Sequence, residues 1–308
     1  MFLTWILLII GFALITVGAT WLTNSSAAIA KRLHMSEYVI GMTIVAVGTS
    51  LPELTVSVAS TFAGSADMAI GNIVGSNVFN VLFVLGICAL FSPVVFTKEN
   101  IRIDIPICLA VSIALFAMLF NNSLNRIEGI VLLLCYISII TYSIRSGKQS
   151  DEKVEIDENF SWFKSIVMLA LGFVGLIYGA DLTLDSAVAI ARDLGVSERV
   201  IAITLLAGGT SLPELAASLV AMLRGHGAMA LGNVVGSNIA NILLILGTCS
   251  TISPLLMNGI TMIDLLVMIG AVVMLLLSAL IFGKGKIIRS EGVVFLAAYA
   301  AYIWYLVG

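Results

Sequence analysis

Two glutamates, Glu53 and Glu214, each follow a proline inside an otherwise apolar stretch, in the same heptapeptide Gly-Thr-Ser-Leu-Pro-Glu-Leu. A carboxylate at membrane depth costs ~2.5–3.5 kcal/mol on insertion scales, so it marks a functional site by default. Further oxygen donors stand within the same turn: Thr49 and Ser50 before Glu53, Thr210 and Ser211 before Glu214. Pro52 and Pro213 lack a backbone donor and leave the carbonyls of Gly48 and Gly209 without helical partners. Local unwinding is therefore expected there. Unwound backbone at membrane depth is tolerated where it lines a cavity, and its carbonyls suit Na+ or Ca2+.

The next apolar stretch carries Asn72, Ser76 and Asn80 at i, i+4 and i+8, on one helix face, and its counterpart carries Asn233, Ser237 and Asn241. Gly71 and Gly75, like Gly232 and Gly236, sit beside that face and permit close helix approach. Gathered around one centre, these residues supply two carboxylates, several amides and hydroxyls, and carbonyls. Ca2+ takes six to eight oxygens at ~2.3–2.6 Å, and such a set can provide them. It contains no thiol or imidazole, which argues against zinc or copper. His34 and His226 fall in predicted loops, where exposure is the default. Single serines and threonines in membrane helices mostly pack. The glutamates differ: neither has a Lys or Arg nearby in its stretch, so an exchangeable cation is the economical counter-charge. Asn72, Asn77, Asn233 and Asn238 read as support, bonding across helices.

These residues lie in a segment written twice. Residues 40–86 return as 201–247, ungapped, with 24 of 47 positions identical at an offset of 161. The same offset relates Gly11-Phe12 to Gly172-Phe173, Gly18-Ala19 to Gly179-Ala180, Ser36-Glu37 to Ser197-Glu198 and Ser92-Pro93 to Ser253-Pro254. Arg126-Ile-Glu128-Gly129 recurs as Arg289-Ser-Glu291-Gly292 with the offset grown by two. The expected organisation is a first repeat over 1–144, a polar cytoplasmic connector over 145–161 and a second repeat over 162–308.

The elements that must position these groups are membrane helices. Hydrophobic residues make up 60% of the chain and charged ones 11%, against roughly 25% charged in soluble domains. Ten apolar stretches fall near 2–23, 38–62, 67–91, 104–120, 127–144, 162–190, 198–223, 228–252, 261–282 and 290–307. Each is long enough for a core about 30 Å thick, and the absence of period-2 alternation excludes a barrel. With the N-terminus outside, twelve Lys and Arg fall in inner loops, and only Arg126, Arg192 and Arg199 in outer ones. Both termini are thus expected on the non-cytoplasmic side. Five spans per half give the halves opposite orientations: an all-α integral membrane protein with ten transmembrane helices in two inverted five-helix repeats. The first span lacks a basic n-region and a cleavage site and reads as retained. Cys88, Cys108, Cys135 and Cys249 read as small buried hydrophobes. Asp181 and Asp185 are expected near the outer end of the sixth span.

Two copies of GTSLPEL, followed by GNIVGSNVFN and GNVVGSNIAN, resemble the paired alpha-repeats of the cation/calcium exchanger superfamily, the sodium/calcium exchanger-like antiporters. The resemblance spans nearly the whole chain. It implies that Glu53 and Glu214 bind Ca2+ with the backbone oxygens of Thr49 and Thr210, with Asn80 and Asn241 at the middle of the site. Ala46, Ser50 and Ser237, with Ala207, Ser211 and Ser76, would line flanking Na+ sites. The first and sixth helices would slide across them. Relatives commonly carry aspartate at the position of Asn241; this chain has asparagine in both halves, which leaves the coupling ion open between Na+ and H+.

The function expected is Ca2+/Na+ antiport by alternating access, extruding Ca2+ from a prokaryotic plasma membrane, without enzyme chemistry. Ca2+/H+ exchange and K+-dependent Na+/Ca2+ exchange are same-class alternatives, and a cation channel is a rival of another class. A hydrolase is disfavoured because no Ser–His, Asp–Asp or HExxH arrangement lies within the spans. The implied partners are the transported ions and the lipid bilayer; no cofactor, nucleic acid or protein partner is implied.

Overall fold

The computed structural model describes residues 2–147, 161–196, 201, 207–257, 260–283 and 285–307. Helices fill most of this: α1 (Phe2–Leu33), α2 (Glu37–Thr49), α3 (Leu51–Phe62), α4 (Met68–Phe91), α5 (Asn100–Asn121), α6 (Arg126–Ser146), α7 (Trp162–Asp193), α8 (Leu212–Leu223), α9 (Gly227–Ile252), α10 (Met262–Phe282) and α11 (Arg289–Val307). Among the described residues, seven are long and apolar enough to cross a membrane, or eight when α2 and α3 are taken as one span bent by 45°. The expected opening of the seventh span, with Ser197, Glu198 and Arg199, lies outside the described residues. So do Lys148, Lys153, Lys284 and most of the connector. The all-helical membrane architecture holds.

Large apolar side chains face outward, as lipid-facing surfaces require: Trp5 and Ile9 on α1, Ile127 and Ile137 on α6, Trp304 on α11 are exposed. The polar residues of the repeated motifs are inside: Glu53, Glu214, Asn80 and Asn241 are fully buried. In its most apolar window, α9 is 94% buried and α4 78%, against 22% for α1 and 17% for α6, so α4 and α9 form the centre.

α1 and α7 have 32 residues each, about 48 Å at 1.5 Å per residue, and must tilt to fit a core of about 30 Å. They pack on each other through glycines. A Cβ at Gly18 would lie 2.6 Å from the Leu176 nitrogen, and one at Gly179 would lie 2.7 Å from the Ile15 nitrogen. α1 runs ten residues beyond the expected 2–23 because small residues, Ser25 to Ala30, continue it into a buried environment.

Two short antiparallel pairings tie the halves crosswise. Val94–Val95 pairs with Lys286–Ile287, and Ser123–Leu124 with Leu255–Leu256. The loop after α4 thus meets the one before α11, and its counterpart after α9 meets the one before α6.

Three expectations need correction. His226 is not a free loop residue: its Nδ1 lies 2.7 Å from Oε1 of the buried Glu37. Asp181 and Asp185 are well inside α7, which continues to Asp193. Cys135 is exposed, whereas Cys88, Cys108 and Cys249 are buried.

Candidate functional site

Each Thr-Ser-Leu-Pro-Glu segment folds as a helix, a short non-helical break (Ser50 in the first copy, Thr210 and Ser211 in the second) and a helix. Ser50 (φ −82°, ψ 9°) breaks the first copy and Ser211 (φ −93°, ψ 8°) the second. Each proline then falls in the first turn of the new helix, where its missing N–H is not needed. The expected unwinding is therefore narrow. The Ser50 nitrogen still donates to the Ala46 carbonyl at 3.0 Å, and the Leu54 nitrogen to Ser50 at 3.0 Å. The bend aims the first-turn glutamates inward, and Glu53 and Glu214 are both fully buried.

The halves exchange donors. Ser50 Oγ donates to Glu214 Oε1 at 3.0 Å, and Ser211 Oγ to Glu53 Oε1 at 2.9 Å. Ser76 Oγ lies 3.4 Å from Glu53 Oε1 and 3.0 Å from Ser211 Oγ. Thr49 Oγ1 donates to Asn233 Oδ1 at 3.1 Å, and Thr210 Oγ1 to Asn72 Oδ1 at 3.2 Å. The amide of Asn72 in turn reaches the Glu53 carbonyl and Ser57, and that of Asn233 the Glu214 carbonyl and Ser218. Asn77 and Asn238 donate to each other's backbone carbonyls, both at 3.2 Å. Apart from the two Ser76 contacts, which Ser237 does not repeat, each of these pairs maps onto its counterpart at the offset of 161, so the centre has approximate two-fold character.

Eight buried side-chain oxygens have no hydrogen-bond partner among the described residues, and five belong to this centre: Glu53 Oε2, Glu214 Oε2, Asn80 Oδ1, Asn241 Oδ1 and Ser237 Oγ. An unmet buried acceptor costs about 1–3 kcal/mol, more if charged, so these unmet oxygens are candidate ligands for a cation. Every described hydrogen bond to the two carboxylates comes from a serine hydroxyl. Among the described residues no three of His, Cys, Asp and Glu converge as a metal centre. Two carboxylates among neutral oxygens suit an ion that arrives and leaves.

Of the site residues expected from sequence, Glu53, Glu214, Ser50, Ser211, Ser76, Ser237, Asn80 and Asn241 gather here. Thr49 and Thr210 are adjacent, their hydroxyls spent on Asn233 and Asn72. Ala46 is buried, its carbonyl engaged by Ser50 and, at 3.3 Å, by Thr49 Oγ1. Ala207 opens the turn Ala207–Gly209 ahead of the second break. Sequence reasoning missed Ser57 and Ser218, although both copies carry serine there. Gly208 stands opposite Val47 of the first copy. A Cβ at Gly208 would lie 3.2 Å from the Phe79 ring, and the counterpart of Phe79 is the small Ala240, so a large residue on one side meets a small one on the other.

A multi-pass helical membrane protein with a carboxylate-bearing polar centre shared by two related halves is thereby defined. The family model described as sodium/calcium exchanger protein matches residues 3–145 and 164–308, and the chain belongs to that family. It is 35% identical over 311 residues to the putative antiporter CaxA of Alkalimonas amylolytica, covering 98% of each chain. It is 31% identical over 339 residues to the sodium/calcium exchanger MaX1 of Methanosarcina acetivorans, covering 97% of each. A solved structure of the sodium-calcium exchanger NCX_Mj, soaked with zero Na+ and Ca2+, superposes with a TM-score of 0.87 at 34% identity, covering 99% of each chain.

Proposed function

We propose that the chain is a secondary antiporter that exchanges Ca2+ for Na+ by alternating access and extrudes Ca2+ from the cell. One observation carries this reading: two buried carboxylates, one from each half, take all their described side-chain hydrogen bonds from serine hydroxyls, and each keeps one oxygen unmet among the described residues. One Ca2+ or two or more Na+ neutralise them, whereas the empty, doubly charged site is too costly to occlude. The carrier therefore changes face only when loaded, and this couples the two fluxes.

In this reading Glu53 and Glu214, with Thr49 and Thr210, hold Ca2+, and Asn80 and Asn241 complete the middle of the site. Ser50, Ser211, Ser76, Ser237, Ala46 and Ala207 border the Na+ positions. The halves, 1–144 and 162–308, cross the membrane five times each in opposite orientations, leaving both termini outside. Contacts at the helix ends support this topology. Ser36 bonds to Gly147 and Glu37 meets His226, all at ends that ten crossings place on the inner face. The paired 94–95 and 286–287 loops fall on that same face.

The test is radiolabelled Ca2+ uptake into proteoliposomes under separately imposed Na+, K+ and proton gradients. A Na+ gradient alone drives uptake in the wild type, and Glu53→Gln or Glu214→Gln abolishes it. Near-normal exchange in both variants would refute the assignment, and uptake driven only by a pH gradient would replace Na+ with H+.

A further inference from the structure

Asn77 and Asn238 sit one helical turn before Asn80 and Asn241, on α4 and α9, and are almost fully buried. Their bonds have a direction that runs towards the centre of the site. The backbone carbonyl of Asn238 can only accept, so the Asn77 amide must turn its NH2 towards it, as it does at 3.2 Å. That leaves Asn77 Oδ1, which also can only accept, to meet Asn241, and Asn241 Nδ2 donates to it at 2.9 Å. Asn241 has then spent its NH2 end, and its Oδ1 is the end left buried and unpaired. The mirror chain runs from the Asn77 carbonyl through Asn238 to Asn80, whose Nδ2 donates to Asn238 Oδ1 at 3.1 Å and whose Oδ1 is likewise unpaired.

An amide is nearly the same shape either way round, but its two ends are opposite in effect on a cation. The oxygen attracts it, and the N–H dipoles repel it. Anchoring on a backbone carbonyl, which cannot reverse, removes this ambiguity.

We propose that Asn77 and Asn238 are positioning residues that fix the polarity of the two central amides, so that Asn80 and Asn241 offer oxygen and withhold N–H from the bound ion. The inference rests on the cation-exchange reading of the site and deepens it. It also explains how neutral residues serve at the centre. Amides held this way add oxygen ligands without adding charge, and unlike carboxyl groups they carry no proton to gain or lose at physiological pH. The bridges cross over, since Asn77 acts on Asn241 of the opposite half and Asn238 acts on Asn80.

That crossing makes the test specific. Asn77→Leu keeps the approximate shape but frees the Asn241 amide to turn, and loss of a partner that orients a metal ligand costs about 10–100-fold in affinity. Ca2+ binding is measured by calorimetry on purified full-length protein, alongside the Ca2+ KM and maximal exchange rate in proteoliposomes. Asn77→Leu should raise the Ca2+ Kd and KM by at least tenfold, with the maximal rate kept within about twofold. In an Asn241→Ala background it should add less than about twofold, while in an Asn80→Ala background it should add its full effect. Should Asn77→Leu not fold, Asn238→Leu provides the mirror cycle, non-additive with Asn80→Ala and additive with Asn241→Ala. Equal additivity with both partners, or unchanged Ca2+ affinity, overturns this inference alone. A wild-type protein that binds no Ca2+ overturns the exchange reading together with it.

Discussion

Ser50 donates to the Glu214 carboxylate at 3.0 Å, across 164 residues of sequence, and so the helix break of one half holds the acid of the other. Ser211 and Glu53 return the arrangement at 2.9 Å. The two carboxylates are thus coupled through the breaks that face them. A movement separating the halves breaks both bonds together, so the site is intact only while the halves stay apposed.

Ser50→Ala and Ser211→Ala each remove one hydrogen bond to a carboxylate, worth about 1.5–3 kcal/mol when the acceptor is charged. Bound Ca2+ compensates part of that loss. The half-saturating Ca2+ concentration should therefore rise by about tenfold in each variant, with exchange still present. Concentration-dependent Ca2+ uptake in proteoliposomes checks this, and because the two bonds serve one site the double variant should lose less than the product of the single losses.

Gly48→Ala tests how closely the tilted helices approach the break. The ring of Phe173 on α7 occupies the space a Cβ at Gly48 would take, and the Leu184 side chain does the same at Gly209. Both obstacles are side chains, so the protein should fold, with Phe173 displaced. The expected result is Ca2+ binding within about threefold of wild type and maximal exchange reduced by at least tenfold. Shortening the ring as well, in Gly48→Ala/Phe173→Leu, should restore part of the rate.

Much of this was legible in the sequence because the duplication acts as an internal control. Glu53 and Glu214 stood out through the cost of a carboxylate in an apolar run, and repetition excluded coincidence. The boundaries of α4, α6 and α9 fell within two residues of expectation, since loops with Pro, Gly and charge bracket them. Harder to see was which end of each asparagine faces the ion. A one-letter amide carries no orientation, and Asn77 reveals its role only once Asn238, 161 residues away, is placed against it. The pairing of His226 with Glu37 was hidden for the same reason. Asp181 and Asp185 misled because a charge inside a long tilted helix resembles a charge at a helix end when only composition is read.

Arg224 tethers the second half of α1, its guanidinium lying 3.3 Å from both Asn24 Oδ1 and Thr20 Oγ1. The counterpart positions on α7 are Asp181 and Asp185, and the counterpart of Arg224 is Ala63, so the two long helices are not held alike. Hydrogen bonds from a charged donor contribute about 1.5–3 kcal/mol each, and less where solvent screens them. If movement of α1 limits turnover, Arg224→Ala should raise the maximal exchange rate by about threefold or more and leave the Ca2+ KM unchanged. A slower carrier with an altered KM would place Arg224 in ion access instead.

The glycine contacts between α1 and α7 separate movement from binding most cleanly. At Gly18 an added Cβ meets backbone atoms, the nearest being the Leu176 nitrogen at 2.6 Å, and backbone cannot swing aside as Phe173 can. Overpacking of this kind costs about 1–3 kcal/mol, and Gly18→Val must push the two helices apart along their length. Thermal unfolding of the purified protein should fall by several degrees, and exchange should slow by at least tenfold. Ca2+ affinity should stay within about twofold, because the three atoms nearest an added Cβ belong to Gly172, Gly175 and Leu176 of α7 and not to the site. Gly270 on α10 is the control, with nothing within 4 Å of its would-be Cβ. Gly270→Ala replaces a poor helix former in a helix interior and should raise stability by about 0.5–1 kcal/mol without changing transport. If Gly18→Val exchanges as fast as Gly270→Ala, sliding of α1 against α7 is not the step that carries the ion across.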